Sequence, residues 1–313
     1  MKKTEPPKQQ IASVTFIDGC VLDLDYIYVA TKLDTLDLEL YTHTRLFYFY
    51  NGQWYRHDRN WDIKSVCVYH NRDRRESCAL SIQGDVEFQW AGGGERIEKI
   101  IGAGTLDGRG AMMQIKEVGG SLLACGYGGQ IYERRESGWN DIAEGLRALD
   151  GGKKALDICS IDGESSHDLY AVGFGGRIFH RKGEFWSELD SPTTENLERV
   201  VWHEGRMYAC GKSGVVVMGD SSGFTCIPPG EEGDDFWGIT VFDGVVYLSA
   251  LSGVYMVKGS KIVKVDMSLS TNAGSYRIDS CEGALWSFGS KNILCFDGKK
   301  WERITHPDNS DIR

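Results

Sequence analysis

Residues 122–142 read LLACGYGGQIYERRESGWNDI: an apolar run, a glycine-centred turn, a second alternating run, and a short third segment opening on Gly-Trp. The pattern returns as LYAVGFGGRIFHRKGEFWSEL (169–189), MYACGKSGVVVMGDSSGFTCI (207–227), VYLSALSGVYMVKGSKIVKV (246–265) and LWSFGSKNILCFDGKKWERI (285–304). These copies start at 122, 169, 207, 246 and 285, in steps of 47, 38, 39 and 39 residues. Two degenerate copies lie upstream, at 27–58 and 78–97, and bring the repeats to seven. A period of roughly 40 residues with three or four short strands per copy predicts a β-propeller. The expected fold is therefore all-β, a seven-bladed β-propeller with four antiparallel strands per blade. An isolated four-stranded sheet cannot bury both its faces, whereas radial stacking lets each sheet cover the next. Bulky residues on both faces, as in Leu122-Leu123-Ala124-Cys125, suit such sandwiched sheets. The late aromatic of each copy (Trp139, Trp186, Phe224, Trp301) is expected to fill the widening gap between outer strands.

Composition agrees with that fold. The 313 residues include 39 Gly and only 6 Pro, as a fold of many tight turns requires. Nine cysteines, without a CxxC pair and several of them inside strand runs, read as buried reduced thiols. The opening MKKTEPPKQQ lacks the apolar run of a signal peptide, and the longest uncharged stretch, 244–257, falls short of the roughly 18 residues a spanning helix needs. A cytoplasmic protein without membrane contact is expected. A net charge of −10 argues against nucleic-acid binding, because an acidic surface repels phosphate backbones, and favours a basic partner.

Laid along the chain, the pattern gives a disordered lead (1–10), one propeller domain (11–304) and a polar tail (305–313). Blade 1 is expected to use Ala12–Ile17, Asp25–Thr31, Thr44–Tyr50 and Gln53–Asp58 as strands A to D, from the axis outward. Blade 2 follows with Lys64–Tyr69, Ser77–Ile82, Asp85–Trp90 and Arg96–Ile101, and with NRDRRE (71–76) as its A–B loop. The longest candidate helix is a short piece around Asp141–Leu149.

Catalytic constellations are absent from the pattern. The seven histidines show no HxH, HxxxH or HExxH spacing, and there is no GxSxG elbow or GxxxxGK[ST] loop, so no catalytic residue, metal or cofactor is assigned. GYGG (126–129) and GFGG (173–176) sit between two strands rather than opening a helix, and read as turn glycines, not phosphate cradles.

The run G-x-G-G-x-I-[YF] followed by G-x-W resembles the repeats of photosystem-assembly-factor-like and neuraminidase-type bacterial propellers, over roughly residues 27–304. The sialidase Asp-box S-x-D-x-G-x-x-W is missing, since the matching places read ESGW (136–139) and KGEFW (182–186). The resemblance thus implies recognition rather than sialidase chemistry.

Topology sharpens this. In a propeller the B–C turns and D–A links emerge on one face, and the A–B and C–D loops on the other. Alignment of the repeats puts Ile82, Tyr127, Phe174, Lys212, Leu251 and Ser290 at equivalent B–C turn tips. Aromatic and aliphatic residues at turn tips read as contact anchors. The link PPGEEGDDFW (228–237), with Glu231, Glu232, Asp234, Asp235 and Trp237, opens on the same face. So does the long B–C loop of blade 1, KLDTLDLELYTH (32–43), with Asp34, Asp37 and Glu39.

Acidic loops around an aromatic ring suit a basic protein. The leading expectation is a non-enzymatic binding propeller: an immunity protein, of a type VI secretion or polymorphic toxin system, that occludes the active site of a cognate toxin. A nuclease toxin fits best, because its substrate groove is positive. Two alternatives stay open, a propeller hydrolase or lyase acting on a sugar or small metabolite, and an assembly scaffold.

Overall fold

In the computed structural model, described for residues 13–37, 42–150, 156–229, 233–269 and 273–309, the seven repeats fold as seven four-stranded antiparallel sheets. They span 14–59, 63–99, 112–141, 158–189, 197–227, 236–264 and 277–304. Within each sheet the strands follow chain order from the inside out, and the innermost strands of successive blades are neighbours all round the ring, blade 7 against blade 1 included. Among the described residues the one α-helix, Glu144–Asp150, lies between blades 3 and 4 and packs on the outer strand of blade 4. The expected lead, 1–10, lies outside the described residues.

Two boundaries differ from the sequence reading. The inner strand of blade 1 continues from Val14 to Asp23 rather than stopping at Ile17, because breaks in register at Phe16/Asp18 and Val21/Asp23 let it bend and keep pairing with Tyr26–Leu33. In blade 2 the expected NRDRRE loop contracts to a tight turn at Arg72-Asp73, and Arg74–Ser81 is strand. Its arginines serve that strand: Arg74 pairs with the buried Glu76 and covers the Trp90 ring at 4.0 Å, and Arg75 donates to the Leu22 carbonyl at 2.5 Å. The turn reading of GYGG and GFGG holds. Gly128 and Gly176 have φ of 70° and 72°, and a Cβ on either would meet a backbone oxygen, of Arg109 and Thr193, at 2.0 and 2.1 Å.

The spaces between blades are apolar. Trp186 and Trp301 are buried, while Trp139 and Phe224 are partly buried at the edges of two of these cores. Of the nine free cysteines six are buried.

The axis poses a separate problem. Each inner strand pairs with its blade on one edge only, and the other edge turns backbone N–H groups toward the next blade and the channel, where an unmet donor is costly. Side chains of the preceding blade meet them. Asp18 of blade 1 accepts from Val66 N at 2.8 Å, Gln114 of blade 3 from Ile161 N at 2.9 Å, Asp162 of blade 4 from Trp202 N at 2.9 Å, and Asp279 of blade 7 from Val21 N at 2.8 Å.

Closure follows from the chain ends. No strand is exchanged between blades, so blade 7 holds blade 1 through a shared core in which Trp286, Phe288 and Ile293 meet Val14, Phe16 and Phe47. Gly19 is needed there, since a Cβ on it would lie 2.7 Å from the Phe288 ring. The segment after the last strand then latches on. Asn309 accepts from Val14 N at 3.1 Å and donates to Val14 O at 2.9 Å, which gives the first strand the pairing a neighbouring strand would. His306, 3% exposed, sits edge-on to Phe16, Phe47 and Trp54, with centroids at 5.2, 4.4 and 4.5 Å.

Burial lowers the His306 pKa to about 4, so the folded ring is neutral. Between pH 6.5 and that value the unfolded chain takes up a proton that the folded chain refuses, and stability falls as pH falls. The loss attributable to His306 across this window is about 3 kcal/mol. In urea titrations from pH 7.5 to 4, His306→Phe is expected to be less sensitive to acid than the parent by about that amount, and equal slopes would contradict the assignment. Asp162 also accepts from Lys116 Nζ at 2.6 Å, so it joins blades 3, 4 and 5. Asp162→Ala is expected to lower the unfolding free energy by about 2–3 kcal/mol in the same measurement, because it strands a buried N–H.

Candidate partner-binding face

The strand order sets one rim. B–C turns and D–A links leave the sheets at the same end, which brings together tips separated by up to most of the chain. Tyr127 of blade 3 and Phe174 of blade 4 lie side by side, ring centroids 5.3 Å apart and tilted by 53°, both half-buried. Burial pushes the Tyr127 phenol up to about 12, so it is neutral. Ile82, at the blade 2 tip, is half-buried and joins Tyr127 at a cavity of about 280 Å³ at the mouth of the central channel. Leu251, at the blade 6 tip, is 65% exposed, and Ser290 is exposed at the tip of blade 7.

The acidic side is more engaged than its sequence suggests. Lys212 at the blade 5 tip pairs with Asp235 at 2.9 Å and places its ammonium 3.7 Å from the centroid of the Trp237 ring. Asp235 also accepts from Ser213 N at 2.9 Å. Burial alone would raise the Asp235 pKa, but the Lys212 ammonium and this N–H outweigh it and hold the carboxyl below the usual range. Asp234 accepts from the hydroxyls of Ser252 and Tyr255, the latter at 2.5 Å, and this ties the link to the blade 6 tip. Asp34 accepts from Thr15 Oγ1 at 2.6 Å and forms an ion pair with Lys291 of the blade 7 tip. Here too burial pulls upward, and Lys291 with the hydroxyls of Ser13 and Thr15 brings the pKa below the usual value. Asp37 is exposed. Glu39, Glu231 and Glu232 lie outside the described residues.

Two large apolar side chains on this rim escaped the sequence reading. Ile101 and Leu106 are 82% and 85% exposed in the link from blade 2 to blade 3. The link is held in place: Leu106 N donates to Gln83 Oε1 at 3.1 Å, and Gln130 Nε2 donates to the Gly110 carbonyl at 3.0 Å. The sequence reading ends strand D of blade 2 at Ile101, whereas the strand stops at Lys99 and leaves Ile101 in the link with Leu106. The rim is thus divided. An apolar arc (Ile82, Ile101, Leu106, Tyr127, Phe174) covers blades 2 to 4, while the carboxylates stand at the entry to blade 6 and in blade 1, beside the tip of blade 7. Within this arc Ile101 and Leu106 are exposed, and Ile82, Tyr127 and Phe174 are half-buried. Among the described residues no group of three or more His, Cys, Asp or Glu side chains is gathered as a metal site would require, and no helix is long and apolar enough to cross a membrane.

No protein-family model matches the chain. Its sequence is similar to a protein of Pseudomonas aeruginosa called immune protein Tsi7, 29% identical over 295 residues that cover 92% of this chain and 96% of that one. Solved structures share the fold at low identity. The WD40 β-propeller domain of Doa1 superposes with a TM-score of 0.66 at 11% identity, over 91% of this chain and 92% of that one. YCF48 from Cyanidioschyzon merolae gives 0.66 at 14%, over 95% and 97%, and YCF48 bound to D1 peptide gives 0.64 at 14%, over 91% and 93%. The likeness to photosystem-assembly-factor-like propellers read from the repeats is met by these YCF48 structures, and the chain is a seven-bladed β-propeller of that shape.

Proposed function

We propose that this propeller is an immunity protein: a cytoplasmic, non-enzymatic binder that neutralises a cognate toxin of a type VI secretion or polymorphic toxin system. The observation that carries the reading is the similarity to immune protein Tsi7, which runs through nearly the whole of both chains rather than through one blade. The divided rim supports it. Apolar tips around Tyr127 and Phe174 supply the desolvated centre that a stable interface needs, and the carboxylates of blades 1 and 6 supply the flank that attracts a positive surface and speeds encounter. A toxin with a positively charged groove, as a nuclease must have, is the partner this distribution suits, with the rim laid across its active site.

The test is co-expression with the product of each reading frame that flanks this gene, screened first for one that arrests growth. Rescue of growth and recovery of a one-to-one complex are expected, with affinity falling as salt rises from 50 to 500 mM. Leu106→Asp and Phe174→Ala are expected to weaken binding at least tenfold, since central apolar anchors commonly carry about 2 kcal/mol or more. Unchanged growth arrest with wild-type protein, or full binding by both variants, would overturn the reading. Turnover of a sugar or metabolite by the purified chain would favour an enzyme instead.

A further inference from the structure

The channel holds two buried arginines, each of which donates to a carbonyl of the blade before it. Arg199 of blade 5 and Arg277 of blade 7 are each 6% exposed. Arg199 donates only to backbone oxygens, of Glu198 at 2.7 Å and Cys159 at 3.4 Å. Arg277 donates to the carbonyl of Trp237 at 2.5 Å, and its Nη2 donates to Tyr276 Oη at 3.3 Å. Its Nε makes no hydrogen bond but forms an ion pair at 3.5 Å with Asp18 Oδ1, the other oxygen of that carboxylate accepting from Val66 N. Lys64 of blade 2, half-buried at the channel mouth, makes no hydrogen bond or ion pair among the described residues.

These groups act on one another. Burial lowers the Lys64 pKa and the two guanidiniums add to it, with Tyr276 and Asp18 opposing. Burial raises the Tyr276 phenol, but Arg277, Lys64 and Arg199 together bring it below its ordinary value. The same channel shows what a paired cation looks like there: Lys116 meets Asp162 at 2.6 Å. Room is present in two cavities: one of about 430 Å³ lined by Arg199 and Arg277 together with Asp18, Glu117 and Asp279, and the mouth cavity of about 280 Å³ lined by Lys64 and Tyr276. Lys64 and Arg199, which have no carboxylate partner among the described residues, raise the energy of the free protein when confined between low-dielectric walls and lower it again when an anion enters.

We propose that the central channel is a binding site for a small oxyanion, a phosphate or carboxylate group held by Lys64, Arg199 and Arg277 with the Tyr276 hydroxyl as a further donor. The site shares its mouth cavity with Ile82 and Tyr127 of the rim, and its argument does not rest on the toxin reading.

Thermal unfolding of the full chain in 0–50 mM sodium phosphate, and separately sodium acetate, at ionic strength matched with sodium chloride, tests it. A saturable rise in Tm over the chloride control is expected, in phosphate if the site suits a tetrahedral anion and in acetate if it suits a carboxylate. Lys64→Met, which removes a cation without breaking a hydrogen bond, is expected to unfold no lower than the parent in chloride and to lose most of the anion-dependent rise. Competition by the same anion against a fluorescent phosphate analogue is expected to weaken at least tenfold in that variant. Absence of a saturable rise in both anions, or an undiminished rise in Lys64→Met, would overturn the proposal.

Discussion

A propeller is a ring of sheets, and each sheet has one edge that nothing in its own repeat can pair. In this chain that edge is met by single side chains reaching across from the blade before it: Asp18 to Val66, Gln114 to Ile161, Asp162 to Trp202 and Asp279 to Val21. The apolar cores between blades are non-directional and would tolerate sliding. The axial hydrogen bonds are directional and fix which residue of one inner strand faces which residue of the next. Where the chain ends must meet, the same solution recurs with Asn309 standing in for a strand against Val14. Once the axis is fixed in this way, the outer strands and their turns follow from antiparallel pairing alone.

This division of labour explains where function can reside. Inner and middle strands are committed to packing, so the variable positions are turn tips, whose backbone geometry is held by glycines and whose side chains are free to be chosen. On the rim formed by the B–C turns that choice is apolar on blades 2 to 4 and charged near blades 5, 6, 7 and 1. Several of the charges are drawn into short local bonds, as in Lys212 with Asp235 and Trp237. Such bonds order the loops that carry them, and an ordered loop loses less entropy when a partner lands on it.

Much of this was legible in the sequence. The spacing of the Gly-centred turns carried blade number and strand order, because repeats that bury the same faces must repeat the same pattern. The turn tips followed from alignment, and Tyr127 and Phe174 do meet. Other features left no local trace. His306 and Asn309 look like residues of a polar tail, and their structural partners include Val14, some 295 positions away for Asn309. Ile101 and Leu106 are hidden in a glycine-rich link, and only a fixed backbone shows that they are presented rather than folded away. Lys64, Arg199 and Arg277 are charges in three distant strands, and nothing in periodicity says that those strands converge on one axis. The bends in the first strand of blade 1 follow from register breaks that composition does not mark.

If recognition belongs to the rim made by B–C turns and D–A links, binding of the partner protects that rim and leaves the opposite face open. Hydrogen–deuterium exchange of the chain alone and in complex with its cognate toxin tests it most directly. Slowed exchange on binding is predicted at 101–109, 127–129, 174–176 and 233–237, with little change at the A–B and C–D loops. Protection confined to the opposite face, around 72–73, 135–137 and 183–185, would contradict it.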